Sequence, residues 1–212
     1  MYIELKNVSK SIKGVPILTD ISLKMTGGKI YGFQGKNGCG KTMLMRAICG
    51  LIRINSGSID INGKILHKDI TFPESIGVLI ENPSFLNNFT GLKNLKMLAD
   101  IQGNVSESEI KNILLDVGLD PEDKRTYRKY SLGMKQKLGI AAAVIGSPQI
   151  VILDEPINAI DESGVKKVRQ ILSGIKAKGS LIIIACHDRT ELEQLSDTII
   201  TIENGRITNN EA

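Results

Sequence analysis

The sequence predicts an α/β protein built on a mostly parallel sheet, with a helical segment inserted near its middle. Three observations carry that expectation. A short strand ending in glycine feeds a glycine-rich loop and then a helix, at "KIYGFQGKNGCGKTMLMRAICGL". Two unbroken β-branched runs, "QIVILDEP" and "SLIIIACHD", suit strands covered on both faces. Between them, "SGVKKVRQILSGIKAKG" places Val165, Val168, Ile171, Leu172 and Ile175 on one helical face, giving strand–helix–strand.

The remaining elements follow in order. "YIELKNVS" and "ILTDISLKM" alternate as strands, with turn signals at "KGVP" and "TGGK". After the loop, Met43, Met45, Ala47, Ile48 and Leu51 show helical spacing, and "GSIDINGKIL" returns to a hairpin about an Asn-Gly turn. Thr90 is a candidate cap for "GLKNLKMLADI". Ser106 and Glu109 stand in capping-box spacing before Ile110, Ile113 and Leu114. Ser84 to Tyr130 therefore reads as a mostly helical insert in one domain spanning residues 1–212. Ser131 is a good N-cap for the next helix, and "TIITIENGRIT" reads as a terminal hairpin.

Bulk properties bound the function. The 212 residues are 42% hydrophobic, enough for one well-buried domain. Net charge is +4, and basic runs such as "KRTYRK" are too brief to imply a nucleic-acid partner. "MYIELKNVSK" lacks the basic and apolar regions of a signal peptide, and no apolar run approaches the roughly 20 residues that cross a bilayer. Cys39, Cys49 and Cys186 form neither a disulfide framework nor a metal motif, so a soluble, reducing compartment is expected.

The chemistry concentrates at three places. "GKNGCGKT" comprises Gly35, Lys36, Asn37, Gly38, Cys39, Gly40, Lys41 and Thr42, and fits G-x-x-x-x-G-K-[ST] between a strand and a helix. The glycines let backbone N–H groups converge on a phosphate, Lys41 reaches the β- and γ-phosphates, and the Thr42 hydroxyl binds Mg²⁺. Cys39 at this helix start is either a reactive thiol or a small residue that the loop tolerates. Further on, Asp154 and Glu155 end an apolar strand. Buried charge needs a cation or donor to offset it, so Asp154 is assigned to Mg²⁺ and Glu155 to the water as general base. His187 leaves the next strand on the same sheet edge and is placed at the γ-phosphate; a structural role is the alternative.

With these pieces in order, the chain resembles the ATP-binding cassette (ABC) ATPase family over essentially its whole length. "YSLGMKQ" stands where that family has its signature, "IVILDE" resembles its Walker B strand, "NAID" its D-loop, and His187 its switch histidine. The resemblance implies a P-loop NTPase with a RecA-like core, an antiparallel β subdomain and an α-helical subdomain. It implies ATP and Mg²⁺ as cofactors and head-to-tail pairing with a second cassette, identical or paralogous. Ser131, Gly133 and the backbone of Met134 would then contact the γ-phosphate held by the partner's loop. It further implies transmembrane permease subunits and a cytoplasmic, membrane-peripheral location.

The departures from the family pattern sharpen the expectation. Leu132 intervenes where a glycine is usual, a form resembling the ATPases of bacitracin-type and lantibiotic-immunity exporters. Ile12 takes the position of the aromatic that stacks on adenine, which forfeits on the order of 1 kcal/mol and predicts weak ATP-over-GTP discrimination. Glu81 in "GVLIENP" replaces the Gln-loop glutamine, keeping an oxygen for Mg²⁺ or water while adding negative charge. Phe85, Leu86 and Phe89 in "NPSFLNNF" are expected to face the permease, although any one of them suits a core contact equally. The competing classes are a DNA-acting or ribosome-acting relative and an adaptor without turnover. The first is disfavoured because only about 90 residues separate Lys41 from Ser131, with no sustained heptads for a coiled coil. The second is disfavoured by intact Lys41, Asp154, Glu155 and His187.

Overall fold

A computed structural model describes residues 1–103 and 105–211. Two sheets organise the chain. The first is four-stranded, in the order β2 (Val15–Thr26), β1 (Tyr2–Ile12), β4 (Ser56–Ile61), β5 (Lys64–Ile65), and every pairing in it is antiparallel. The β4–β5 hairpin turns at Asn62 and Gly63, both with positive φ, as a two-residue turn of this kind requires. The second sheet is six-stranded. Its order is β10 (Arg206–Glu211), β9 (Thr198–Glu203), β3 (Lys29–Gln34), β8 (Leu181–Ala185), β7 (Ile150–Asp154), β6 (Ile76–Leu79). All its neighbours run parallel except the β9–β10 hairpin.

The unbroken apolar runs are explained by what covers them. On β7, Ile150 and Ile152 pack with α1 (Lys41–Ile48) and the four-stranded sheet, while Val151 and Leu153 face the helices on the other side. On β8, Leu181 and Ile183 face one layer, Ile182 and Ile184 the other. A strand buried on both faces has no position left for a polar side chain. The second layer comprises α2 (Gly91–Gln102), α3 (Glu107–Asp116), α4 (Leu132–Val144), α5 (Glu162–Ala177) and α6 (Arg189–Leu195). Both predicted caps form: Thr90 Oγ1 accepts from Lys93 N, and Ser106 with Glu109 completes a capping box.

Two elements have no counterpart in the sequence reading. Strand β6 has four residues, one of them Gly77, too few to show a period. A Cβ on Gly77 would lie 1.6 Å from the Ala143 carbonyl oxygen, so glycine here admits α4 against the sheet edge. Helix α6 has seven residues and is started by Asp188, whose Oδ1 accepts from the backbone of Thr190 and Glu191.

Within residues 84–130, the loop before α2 is fastened to the segment that precedes α4. Buried Asn94 accepts from Leu86 N at 2.9 Å and donates to the Thr90 carbonyl at 3.0 Å. The Tyr127 hydroxyl donates to the Pro83 carbonyl at 2.5 Å, and Tyr127 N donates to the Phe89 carbonyl at 2.8 Å. The three residues expected to act together differ in their contacts. Phe85 packs edge-on against Tyr127 with 5.3 Å between ring centres, and Phe89 lies under the Lys93 ammonium at 4.0 Å. Leu86 alone is half exposed. Phe85 and Phe89 stay partly exposed, so all three remain available to a partner while Phe85 also packs within the insert.

Candidate nucleotide site

The loop after β3 is shaped by its glycines. Gly40 has φ +114°, a region closed to side-chain-bearing residues, and it caps α1 without any side-chain hydrogen bond. The first turn of α1 holds no acidic residue, so its N–H groups and partial positive charge are left for an anion. Lys41 is buried, and its ammonium donates to the carbonyls of Gly35 at 2.6 Å and Lys36 at 3.3 Å, which draws the loop closed around it. The Thr42 hydroxyl donates to Asp154 Oδ2 at 2.7 Å, so residues 112 apart in sequence meet at the end of β7.

One cavity of about 360 Å³ is lined by Gly38, Gly40, Lys41, Thr42, Asp154 and Glu155, with Ile12 on its rim. A second, of about 570 Å³, lies between the Gly35–Cys39 side of the loop and the β9–β10 hairpin, and includes Lys36, Asn37 and His187. The two are bridged by Glu155 and His187, whose Oε2 and Nδ1 stand 2.9 Å apart. The hydrogen bond to Glu155 raises the His187 pKa above its ordinary 6.5. Glu155 adopts φ +49°, a strained conformation for a residue with a side chain, and such strain concentrates at working sites.

Other expected residues lie elsewhere. Glu81, also at positive φ, is engaged by Arg46 of α1 at 2.5 Å and lines neither cavity. Ser131 Oγ accepts from Met134 N at 3.2 Å as the cap of α4, and Ser131, Gly133 and Met134 line neither cavity. A Cβ on Gly133 would stand 2.5 Å from the carbonyl of Ala159, so the start of α4 abuts the "NAID" turn. Cys39 packs among apolar side chains with its sulfur close to Gly35, and it also lines the second cavity. Ile12 is 44% exposed, as a face for a ligand requires.

Two contributors were missed in the sequence. Buried Gln136 on α4 donates to the carbonyls of Glu155 at 2.9 Å and Pro156 at 3.2 Å, fixing the turn that carries Glu155. Its only signal was a polar residue on the apolar side of a helix. Cys186 stands beside Glu155 and His187, and burial pushes its thiol up to about 12.

A glycine cradle at a helix start, a closing lysine and a hydroxyl–carboxylate pair together define a P-loop nucleotide-binding protein. The comparisons with known proteins narrow this. The family described as ABC transporter matches residues 18–158. The chain is 44% identical over 209 residues to the uncharacterised ABC transporter ATP-binding protein YybJ of Bacillus subtilis (strain 168), covering 99% of this chain and 96% of that one. It is 39% identical over 207 residues to the bacitracin transport ATP-binding protein BcrA of Enterococcus faecalis, covering 97% and 67%. To the lantibiotic transport ATP-binding protein SrtF of Streptococcus pyogenes it is 38% identical over 206 residues, covering 97% and 88%. A solved ATP-binding subunit of an ABC transporter superposes with a TM-score of 0.90 at 26% identity, covering 100% of this chain and 90% of that one.

The chain belongs to the ABC transporter family, as an ATP-binding, ATP-hydrolysing cassette. ATP-binding subunits of ABC transporters work with membrane permease components. Among the described residues, no helix is long and apolar enough to cross a membrane.

Proposed function

We propose that the chain powers export of peptide antibiotics or other hydrophobic compounds through separate membrane-spanning subunits, from the inner face of the cell membrane. The whole of residues 1–212 acts as one ATPase domain, with roughly 84–130 as its helical subdomain. The observation that carries the reading is the convergence of Thr42, Asp154 and Glu155 beside Lys41 on one cavity. The substrate class rests on the relatives named for bacitracin and lantibiotic transport.

In this reading Gly35 to Thr42 cradles the triphosphate by backbone N–H groups, and Lys41 exchanges its loop carbonyls for phosphate oxygens. Mg²⁺ requires hard oxygen ligands, and Thr42 Oγ1 with Asp154 Oδ2, 2.7 Å apart, suits it. When bound, the ion would neutralise charge on the β- and γ-phosphates. Glu155 takes a proton from the attacking water, and His187 orients the Glu155 carboxylate from the second cavity. Ile12 covers the base. Ser131, Gly133 and Met134 serve the nucleotide of a second cassette, which fits their distance from this chain's own cavities. Glu81, held by Arg46, is the residue that exchanges partners on nucleotide binding and so couples the site to the permease.

Phosphate release measured over rising protein concentration tests the reading. Specific activity should climb with concentration as cassettes pair, and Glu155→Gln should bind ATP yet release phosphate on the order of 100-fold more slowly. Full specific activity in dilute monomer would refute the shared site. Loss of the chain from its host should raise sensitivity to bacitracin or lantibiotics; unchanged sensitivity refutes the substrate class.

A further inference from the structure

Beside the oxygen ligands assigned to Mg²⁺ lies a second donor set of different chemistry. A carboxylate oxygen of Glu155, the sulfur of Cys186 and a ring nitrogen of His187 all lie within 4.8 Å of one another. Adjacent residues on a strand point to opposite faces, but β8 ends at Ala185. Past that end the chain turns Cys186 and His187 together, towards Glu155 on the neighbouring strand's exit.

We propose that Glu155, Cys186 and His187 form a site for a borderline-soft transition-metal cation, with Zn²⁺ as its natural occupant, and that occupancy stops turnover. Thiolate and imidazole select Zn²⁺ over Mg²⁺, whereas Thr42 and Asp154 offer oxygen alone. Zn–N and Zn–O bonds of about 2.0 Å and a Zn–S bond of about 2.3 Å place ligand atoms roughly 3.3–3.6 Å apart at tetrahedral angles. The Glu155–His187 pair, at 2.9 Å, already approaches that spacing, and the sulfur has about an ångström to travel at most. Three protein ligands leave the fourth position to water.

Access and proton balance are both provided. His187 is 61% exposed along its side chain and opens the entrance, while Cys186 forms the floor. The Cys186 S–H donates to Glu191 Oε2 at 3.4 Å, so an acceptor for the thiol proton stands beside it. On binding, the sulfur lone pair passes to the metal and the proton to Glu191 or water. A coordinating cation deprotonates a thiol outright, so burial of Cys186 adds to the cost of binding without forbidding it. The bound ion would occupy both Glu155 and His187. The inhibitory half of the proposal therefore rests on their proposed roles in hydrolysis, whereas the binding half does not.

The test uses the full chain with Co²⁺ as a spectroscopic probe and Zn²⁺ as inhibitor in excess Mg²⁺. A thiolate-to-cobalt charge-transfer band is expected in the wild type, in Cys39→Ser and in Cys49→Ser. Cys186→Ser, or Cys186→Ala should the serine variant not fold, should lose the band and bind more weakly by at least the roughly 10–100-fold that loss of a mere outer-shell partner costs. Zn²⁺ should block ATP turnover reversibly in the wild type and leave Cys186→Ser unaffected relative to that variant's own metal-free rate. Absence of the band in the wild type, or its survival without Cys186, overturns the site. A band with turnover undisturbed by Zn²⁺ overturns the inhibitory half. A protein that shows the band but hydrolyses no ATP supports the metal site and counts against the ATPase reading alone.

Discussion

Gln136, buried in α4, donates its side-chain amide to the backbone carbonyl of Glu155 at 2.9 Å. The helix that begins at Ser131 thereby holds the turn on which Glu155 sits at positive φ. Replacing Gln136 by Leu strands the buried carbonyl of Pro156 and leaves that of Glu155 to Asn158 N at 3.3 Å, at a cost of about 1–3 kcal/mol. Urea unfolding should report that loss. Turnover should fall further than the stability change implies, because the strained turn is freed to relax. Unchanged kcat in a destabilised variant would show that the turn is held by other contacts.

His187 should titrate above 6.5, because its hydrogen bond to Glu155 favours the protonated ring. The sign follows from linkage. A raised folded-state pKa contributes stability that is complete below the unfolded value of 6.5 and disappears as pH rises through the folded value. His187 is largely exposed, so the contribution is small and best read at the residue itself. The imidazole proton signal followed by NMR should show a midpoint above 6.5 that falls in Glu155→Gln. An identical midpoint in that variant removes Glu155 as the cause.

Gly77→Ala should destabilise the protein by about 3 kcal/mol or more, since the added Cβ would meet backbone at 1.6 Å and neither partner can rotate away. Soluble yield and the thermal midpoint measure it. Gly174→Ala is the control: a Cβ there meets nothing within 4 Å, and alanine favours a helix by roughly 1 kcal/mol over glycine.

Ile12 offers apolar contact without a ring, so ATP and GTP should bind with Kd values within about tenfold of each other. Ile12→Tyr should tighten both, by about 0.5–1.5 kcal/mol. A strong ATP preference in the wild type would mean that polar groups elsewhere read the base.

Much of this was legible in the sequence because each signal was local. The Gly35–Thr42 loop lies between a strand and a helix that its own residues specify, and Thr90 and Ser106 cap where their spacing placed them. Unbroken runs at β7 and β8 announced burial on both faces. What stayed hidden was long-range or short. Gln136 and Glu155 meet only after α4 packs on the sheet, and Arg46 reaches Glu81 across 35 positions. β6 and α6 are too brief for periodicity to emerge. Ser131, Gly133 and Met134 reach neither cavity of their own chain, so their assignment still rests on family resemblance.

The Tyr127 tether gives direction to any mechanical signal. A load applied at Leu86 passes through Asn94 and Tyr127 to the backbone entering Ser131. A second route runs back along the chain to Glu81, whose carboxylate meets Arg46 of α1, the helix that begins at Lys41. If cassettes pair as proposed, whatever grips one copy at Leu86 is felt by the nucleotide resting on its neighbour as well as by its own, so a single occupied copy would transmit across the seam.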